Sequence, residues 1–193
     1  MRCDIYGVLV TLLFASACGA DGEASSEPAE TRASEEARLN LVLVNCPLGA
    51  VVANYDPPLT QTPRATTIDV NTTFPACVTL PGSAVTSASI VVPPFVEQGK
   101  SCSDLTDIGT VAMPMVLWNT GETSSLKTTQ VRVATQGTLT VVTGVGTVVA
   151  GKFQGAIANR TLTFLTADLT EGCLAGEGLS SINGQDTLTL TRL

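Results

Sequence analysis

The chain has 193 residues, 44% of them hydrophobic and only 14% charged, with a formal charge of −7 and no histidine. The lack of histidine excludes Ser-His-Asp and Cys-His nucleophiles, the H-E-x-x-H metalloproteases and imidazole-held metals. The acidic balance argues against nucleic-acid binding, which rests on clustered Lys and Arg.

Residues 1–17 read as a signal peptide. Arg2 supplies a short positive region, and Gly7 to Ala15 is an apolar run of signal length, too short to span a bilayer core of about 30 Å. Ala15-Ser16-Ala17 satisfies the small-x-small rule of an ordinary secretory signal. The same residues followed by Cys18 resemble the lipobox of bacterial lipoproteins, with Ala15 standing where such boxes usually carry a larger aliphatic residue. That resemblance implies a diacylated Cys18 as the mature N-terminus. Gly19 after it implies outer-membrane sorting in a two-membrane host. Residues 18–38 contain no apolar cluster and set six carboxylates against Arg32 and Arg38, the composition of a solvated acidic tether. The expected location is a membrane-anchored lipoprotein on the cell envelope, the alternative being free secretion.

Residues 39–193 form the expected single domain, about 155 residues and enough for an ordinary two-layer core. Thr and Val recur throughout, and their branched Cβ suits a pleated sheet. Leu39–Val44 and Ala50–Tyr55 read as strands around a turn at Pro47-Leu48-Gly49. Pro57, Pro58 and Pro63 mark an irregular link, because proline cannot donate to a ladder. Ala65–Thr73 and Val85–Val92 follow, the latter ending at Pro93-Pro94. Thr110–Trp118 leads into a hairpin turn at Asn119-Thr120-Gly121, with Thr123–Val133 returning. Thr138–Val142 and Thr147–Val149 flank Gly144 and Gly146 and read as one bulged strand or two short ones. The segment between Asp168 and Gln185 has room for a short helix. Arg160–Leu165 and Asp186–Arg192 alternate Leu or Phe on one face with Thr on the other. Eight or nine such strands predict an all-β, Ig-like antiparallel sandwich, the alternative being a partly closed β-barrel. The chain closes on a strand, so the expected anchor is Cys18.

Of six cysteines, Cys3 falls in the signal peptide and Cys18 is the lipidation candidate. Cys46, Cys77, Cys102 and Cys173 remain, an even number in an exported chain, with no C-x2-C spacing for zinc. Two disulfides are expected. Four cysteines allow three pairings, and the preferred one joins Cys46 to Cys77 and Cys102 to Cys173.

Catalytic patterns are sparse. Ser124-x-x-Lys127 has the spacing of a Ser-Lys dyad but lies in a Thr-rich strand without partner motifs. Asp104 with Asp107, and Asp168 with Glu171 and Glu177, are the acidic clusters that a carboxylate hydrolase or a calcium site would use. They sit in Gly- or Ser-containing loops, where acids are ordinarily solvated. Gly99-Lys100-Ser101 and Gly144-x-Gly146 lack the further glycines of phosphate loops. Trp118, the sole tryptophan, is expected in the core rather than on a carbohydrate platform. No cofactor and no metal are expected.

These residues together resemble small exported bacterial all-β proteins of unknown function. The shared segments are an early cysteine, Tyr55-Asp-Pro-Pro-Leu-Thr60, Leu117-Trp-Asn-Thr-Gly-Glu-Thr-Ser124, Gly151-Lys-Phe-Gln-Gly155 and Gly172-Cys-Leu-Ala-Gly176, covering residues 45–193. The resemblance implies a fold and carries no activity. The expectation is a non-enzymatic binding or structural protein at the cell envelope. Its partners would be the membrane, through the lipid on Cys18, and an envelope protein or glycan. The alternatives are a secreted hydrolase using loop carboxylates and a secreted adhesin or inhibitor.

Overall fold

A computed structural model describes residues 41–105 and 114–192. The proposed signal peptide, Cys18 and the acidic tether lie outside the described residues, as do Asp107 and the first part of the expected Thr110–Trp118 strand.

Eight antiparallel strands run in chain order around a closed barrel. They are β1 Leu41–Leu59, β2 Arg64–Thr79, β3 Ala88–Lys100, β4 Met115–Trp118, β5 Thr123–Gln136, β6 Leu139–Gly151, β7 Ile157–Leu165 and β8 Leu179–Arg192. A 3-10 turn spans Cys102–Leu105, and helix α1 spans Thr166–Leu174 between β7 and β8. The all-β class and the barrel alternative hold, and the sandwich does not. Alternating side chains serve a sandwich and a barrel equally. What separates them is the pairing of first and last strands, here a ladder from Leu41↔Arg192 to Leu59↔Leu179 that leaves the barrel without an edge.

The strands are also longer than the proline positions suggest. Pro47 lies where β1 shifts register against both neighbours, between Asn45 and Leu48 on β2 and between Cys46 and Gly49 on β8. Pro57 and Pro58 fall within the register gap between Asn54 and Leu59 against β8. Pro93 and Pro94 fall where Ile68↔Phe95 gives way to Val70↔Val92. At a bulge no ladder donor is required, so proline marks irregularity without ending the strand. Leu41–Val44 and Ala50–Tyr55 thus belong to one strand, and β3 continues past the prolines to Lys100. The region around Gly144 and Gly146 is one strand, with the register shift opposite it at Thr128–Gln130.

Period-2 alternation decides what faces the lumen. On β8, Ile182, Asp186, Leu188 and Leu190 point inward and are buried, while Ser181, Asn183 and Gln185 are exposed. Along this strand the apolar side chains therefore line the lumen and the polar ones face outward.

One end of the lumen is filled by large side chains. Phe74, Ile90, Trp118, Leu188 and Leu190 are essentially fully buried there. The Phe153 ring meets Trp118 edge-on, 5.3 Å between centroids, from the β6–β7 turn. Trp118 Nε1 donates to Ser124 Oγ at 2.8 Å, and that hydroxyl donates to the Lys152 carbonyl at 2.5 Å. The Gly151–Gly155 segment is therefore a plug for the barrel end. Asn119 of the β4–β5 hairpin accepts from the backbone of Thr86 and Ser87 and donates to Ala84 O. The Cys46–Cys77 disulfide joins β1 to β2 at this end, and the Cys102–Cys173 disulfide ties the 3-10 turn to α1 at the other.

Candidate functional site: a cavity in the open half of the barrel

An eight-stranded barrel is just wide enough for large side chains to fill it or for smaller ones to leave room for a small ligand. This barrel does each in one half. Beyond the packed end, several inward positions are small: Val51 and Ala53 on β1, Val70 on β2, Gly144 and Gly146 on β6. The result is a cavity of about 190 Å³ with mostly apolar walls, completed by Ile68, Val92, Leu126, Val142, Leu162 and Ile182. Gly184 has a direct packing role, since a Cβ there would lie 2.6 Å from the Phe164 ring.

A polar layer divides cavity from packed core. Arg160 on β7 lies in phase with Ala158 and Leu162, so its side chain enters the lumen. Its Nε donates to Asp186 Oδ2 at 2.8 Å, and Nη2 lies 2.6 Å from the same oxygen. Nη2 also donates to Thr72 Oγ1 on β2 at 2.9 Å, so the guanidinium reaches past the two intervening strands β8 and β1. Asp186 is 0% exposed, and its Oδ1 has no hydrogen-bond partner among the described residues. Burial pushes the Asp186 carboxyl above the ordinary carboxylate range, and the Arg160 charge opposes that shift without cancelling it.

The mouth carries the remaining polar groups. Lys100 Nζ and Glu97 Oε2 form an ion pair at 3.2 Å on the rim. Burial, with Glu97 adding to it, pushes the Tyr55 hydroxyl up to about 12, so it stays protonated as a donor. Leu105 of the 3-10 turn and Leu169 of α1 close over the cavity. Thr140 and Thr166 share a hydrogen bond of 3.0 Å that fixes the start of α1 to β6. A more open depression, lined in part by Gln61, Ser103, Thr135 and Thr170, shares Leu105, Thr140 and Leu169 with the cavity. It is the natural approach to it.

Of the catalytic candidates, Asp104 and Lys127 contribute to the cavity lining, and Ser124, Asp168, Glu171 and Glu177 do not. Ser124 is buried and committed to Trp118 and Lys152, while Lys127 is exposed on the opposite face of β5. Asp168, Glu171 and Glu177 are exposed and do not line the cavity. Asp104 accepts from the Ser101 amide at 2.8 Å and hydroxyl at 2.7 Å, which caps the 3-10 turn and lowers its pKa. Among the described residues no three potential metal ligands cluster. Sequence reasoning missed Arg160 and Asp186, although a signal was present: each is in phase with the apolar face of its strand. Compared with family models, curated proteins and solved structures, the chain matches none. The site therefore rests on its geometry.

Proposed function

We propose that this chain is an exported, non-enzymatic binding protein that holds a small apolar molecule in its barrel, and that a lipid on Cys18 keeps it at the cell envelope. The observation that carries the reading is the contrast between the two barrel halves. The same fold that packs Phe74, Trp118 and Leu190 at one end sets Val51, Ala53, Gly144 and Gly146 among the larger lining residues at the other and leaves about 190 Å³ open. Empty space costs stability in proportion to its volume, and an apolar cavity of this size takes up apolar guests. The two disulfides accord with an oxidising compartment, in line with the export signal expected from residues 1–17.

Titration with naphthalene, followed by NMR of the methyl groups, tests the reading. Methyl signals of Leu162, Val142 and Ile182 should shift, while those of Leu190 in the packed end should not. Ala53→Phe places a ring in the cavity and should abolish the response in a protein that still folds. Equal shifts at both ends, or an undiminished response in the variant, would dismiss the cavity as the binding site.

A further inference from the structure

We infer that the ligand of this cavity carries a neutral oxygen acceptor, such as a ketone, ester or alcohol, on an apolar body, and that Arg160 Nη1 donates to it. This rests on the cavity reading above. Arg160 has five N–H donors in a planar fork. Nε and Nη2 are engaged by Asp186 and Thr72, whereas Nη1 donates to no described residue. Its side chain nevertheless keeps 19% of its surface accessible. Because that side chain lies inside the barrel and lines the cavity, the accessible surface is the cavity floor. A donor left unused in an apolar cavity is costly, and a ligand oxygen placed against it removes that cost.

Charge decides between a neutral oxygen and a carboxylate. The Arg160–Asp186 pair is formally neutral, and the Asp186 carboxylate already accepts from the guanidinium. A ligand carboxylate beside it would bring a second negative charge into the lumen with only one cation to share. Lys100 is drawn to Glu97 on the rim and does not supply a second. A neutral acceptor completes the hydrogen bonding without adding charge. At interior packing density the space holds roughly eight to ten non-hydrogen atoms, so 2-octanone is a suitable probe.

The experiment compares 2-octanone, octane and octanoate at neutral pH, using the same methyl resonances. It does so in the native protein and in the Arg160→Met/Asp186→Leu double variant, which replaces a buried ion pair by apolar groups of similar size, an exchange that proteins commonly tolerate. Native protein should bind 2-octanone at least tenfold more tightly than octanoate. The double variant should retain octane and lose at least tenfold in 2-octanone affinity relative to it. Octanoate binding as tightly as the ketone, or a variant with unchanged ketone-to-alkane preference, would overturn the inference while leaving the cavity reading intact. Failure of both octane and 2-octanone to bind native protein would overturn the cavity reading itself. Should the double variant not fold, the carbonyl stretch of 2-octanone bound to native protein decides. A shift to lower frequency than in hydrocarbon solution supports the hydrogen bond, and an unshifted band removes it.

Discussion

Asp186 concentrates the chemistry of the barrel in one side chain. It is fully buried, it is held to Arg160 at 2.6 Å, and its carboxyl is pushed upward chiefly by burial. The sign of the consequence follows from proton counting. Between the ordinary aspartate value of about 3.9 and the raised value in the folded protein, the folded state holds a proton that the unfolded chain has lost. Stability contributed by this group is therefore complete below that window and declines as pH rises through it. Asp104 and Glu122 act oppositely: hydrogen bonds from Ser101 and Lys152 respectively lower their pKa, so their contribution is lost as pH falls. Asp186→Asn removes only the first term. The stability of the native protein minus that of the variant, measured by denaturant unfolding at a series of pH values, should fall as pH rises above about 4 and then level off. A difference that rises across the same range would mean that the Arg160 charge outweighs burial. The sequence placed Arg160 and Asp186 at the starts of two alternating segments, in phase with Leu162 and Leu188. That phase was legible. The partnership was not, because it spans the lumen and depends on how the strands close.

Strand punctuation illustrates what a local pattern reveals at the scale of an element. The Asn119–Gly121 turn is where expected, with Gly121 at a φ of 81° that suits glycine. Helix α1 overlaps the interval after Asp168 that is open to one, and starts two residues earlier, at Thr166. The proline pairs, by contrast, sit in bulges whose position depends on the neighbouring strand, and no local reading reveals a neighbour. The two small elements at the cavity mouth, the 3-10 turn and α1, are tied to the barrel by the Thr140–Thr166 bond, by backbone bonds from Cys102 to Thr60 and from Thr166 to Thr138, and by the buried Cys173, Leu59 and Leu179 cluster. The Cys102–Cys173 bond adds a covalent tie between the two elements over the cavity. It joins residues 71 apart, and in the chain-entropy view its loss costs at most about 4 kcal/mol. Replacing both cysteines by serine should lower the melting temperature and speed exchange of bound naphthalene severalfold, read from methyl line shapes. The equivalent Cys46→Ser/Cys77→Ser pair lies at the packed end and should lower stability without changing exchange. Equal acceleration in both variants would mean that the mouth is not the route of entry.

At the scale of the whole molecule, composition and alternation made the all-β class readable, while closure was not. Eight amphipathic strands satisfy a sandwich or a barrel, and the choice lies in the β1–β8 ladder between segments more than a hundred residues apart. The cavity follows from closure: small inward residues are unremarkable on an open sheet and enclose space only once the barrel shuts. Leu41 begins β1 at the packed end, and Leu59 ends it near the cavity mouth. Lipidation of Cys18 is testable independently of any ligand. The intact mass of the protein purified from its native host should correspond to a chain beginning at Cys18 with added lipid, and should rise by about four daltons on reduction as two disulfides open. Alkaline phosphate washes should leave it with the membrane fraction. A mature chain with an unmodified Cys18, or one beginning elsewhere and recovered from the medium, would make the barrel a freely secreted carrier. The membrane-anchored reading would then fall, while the binding cavity would stand on its own titrations.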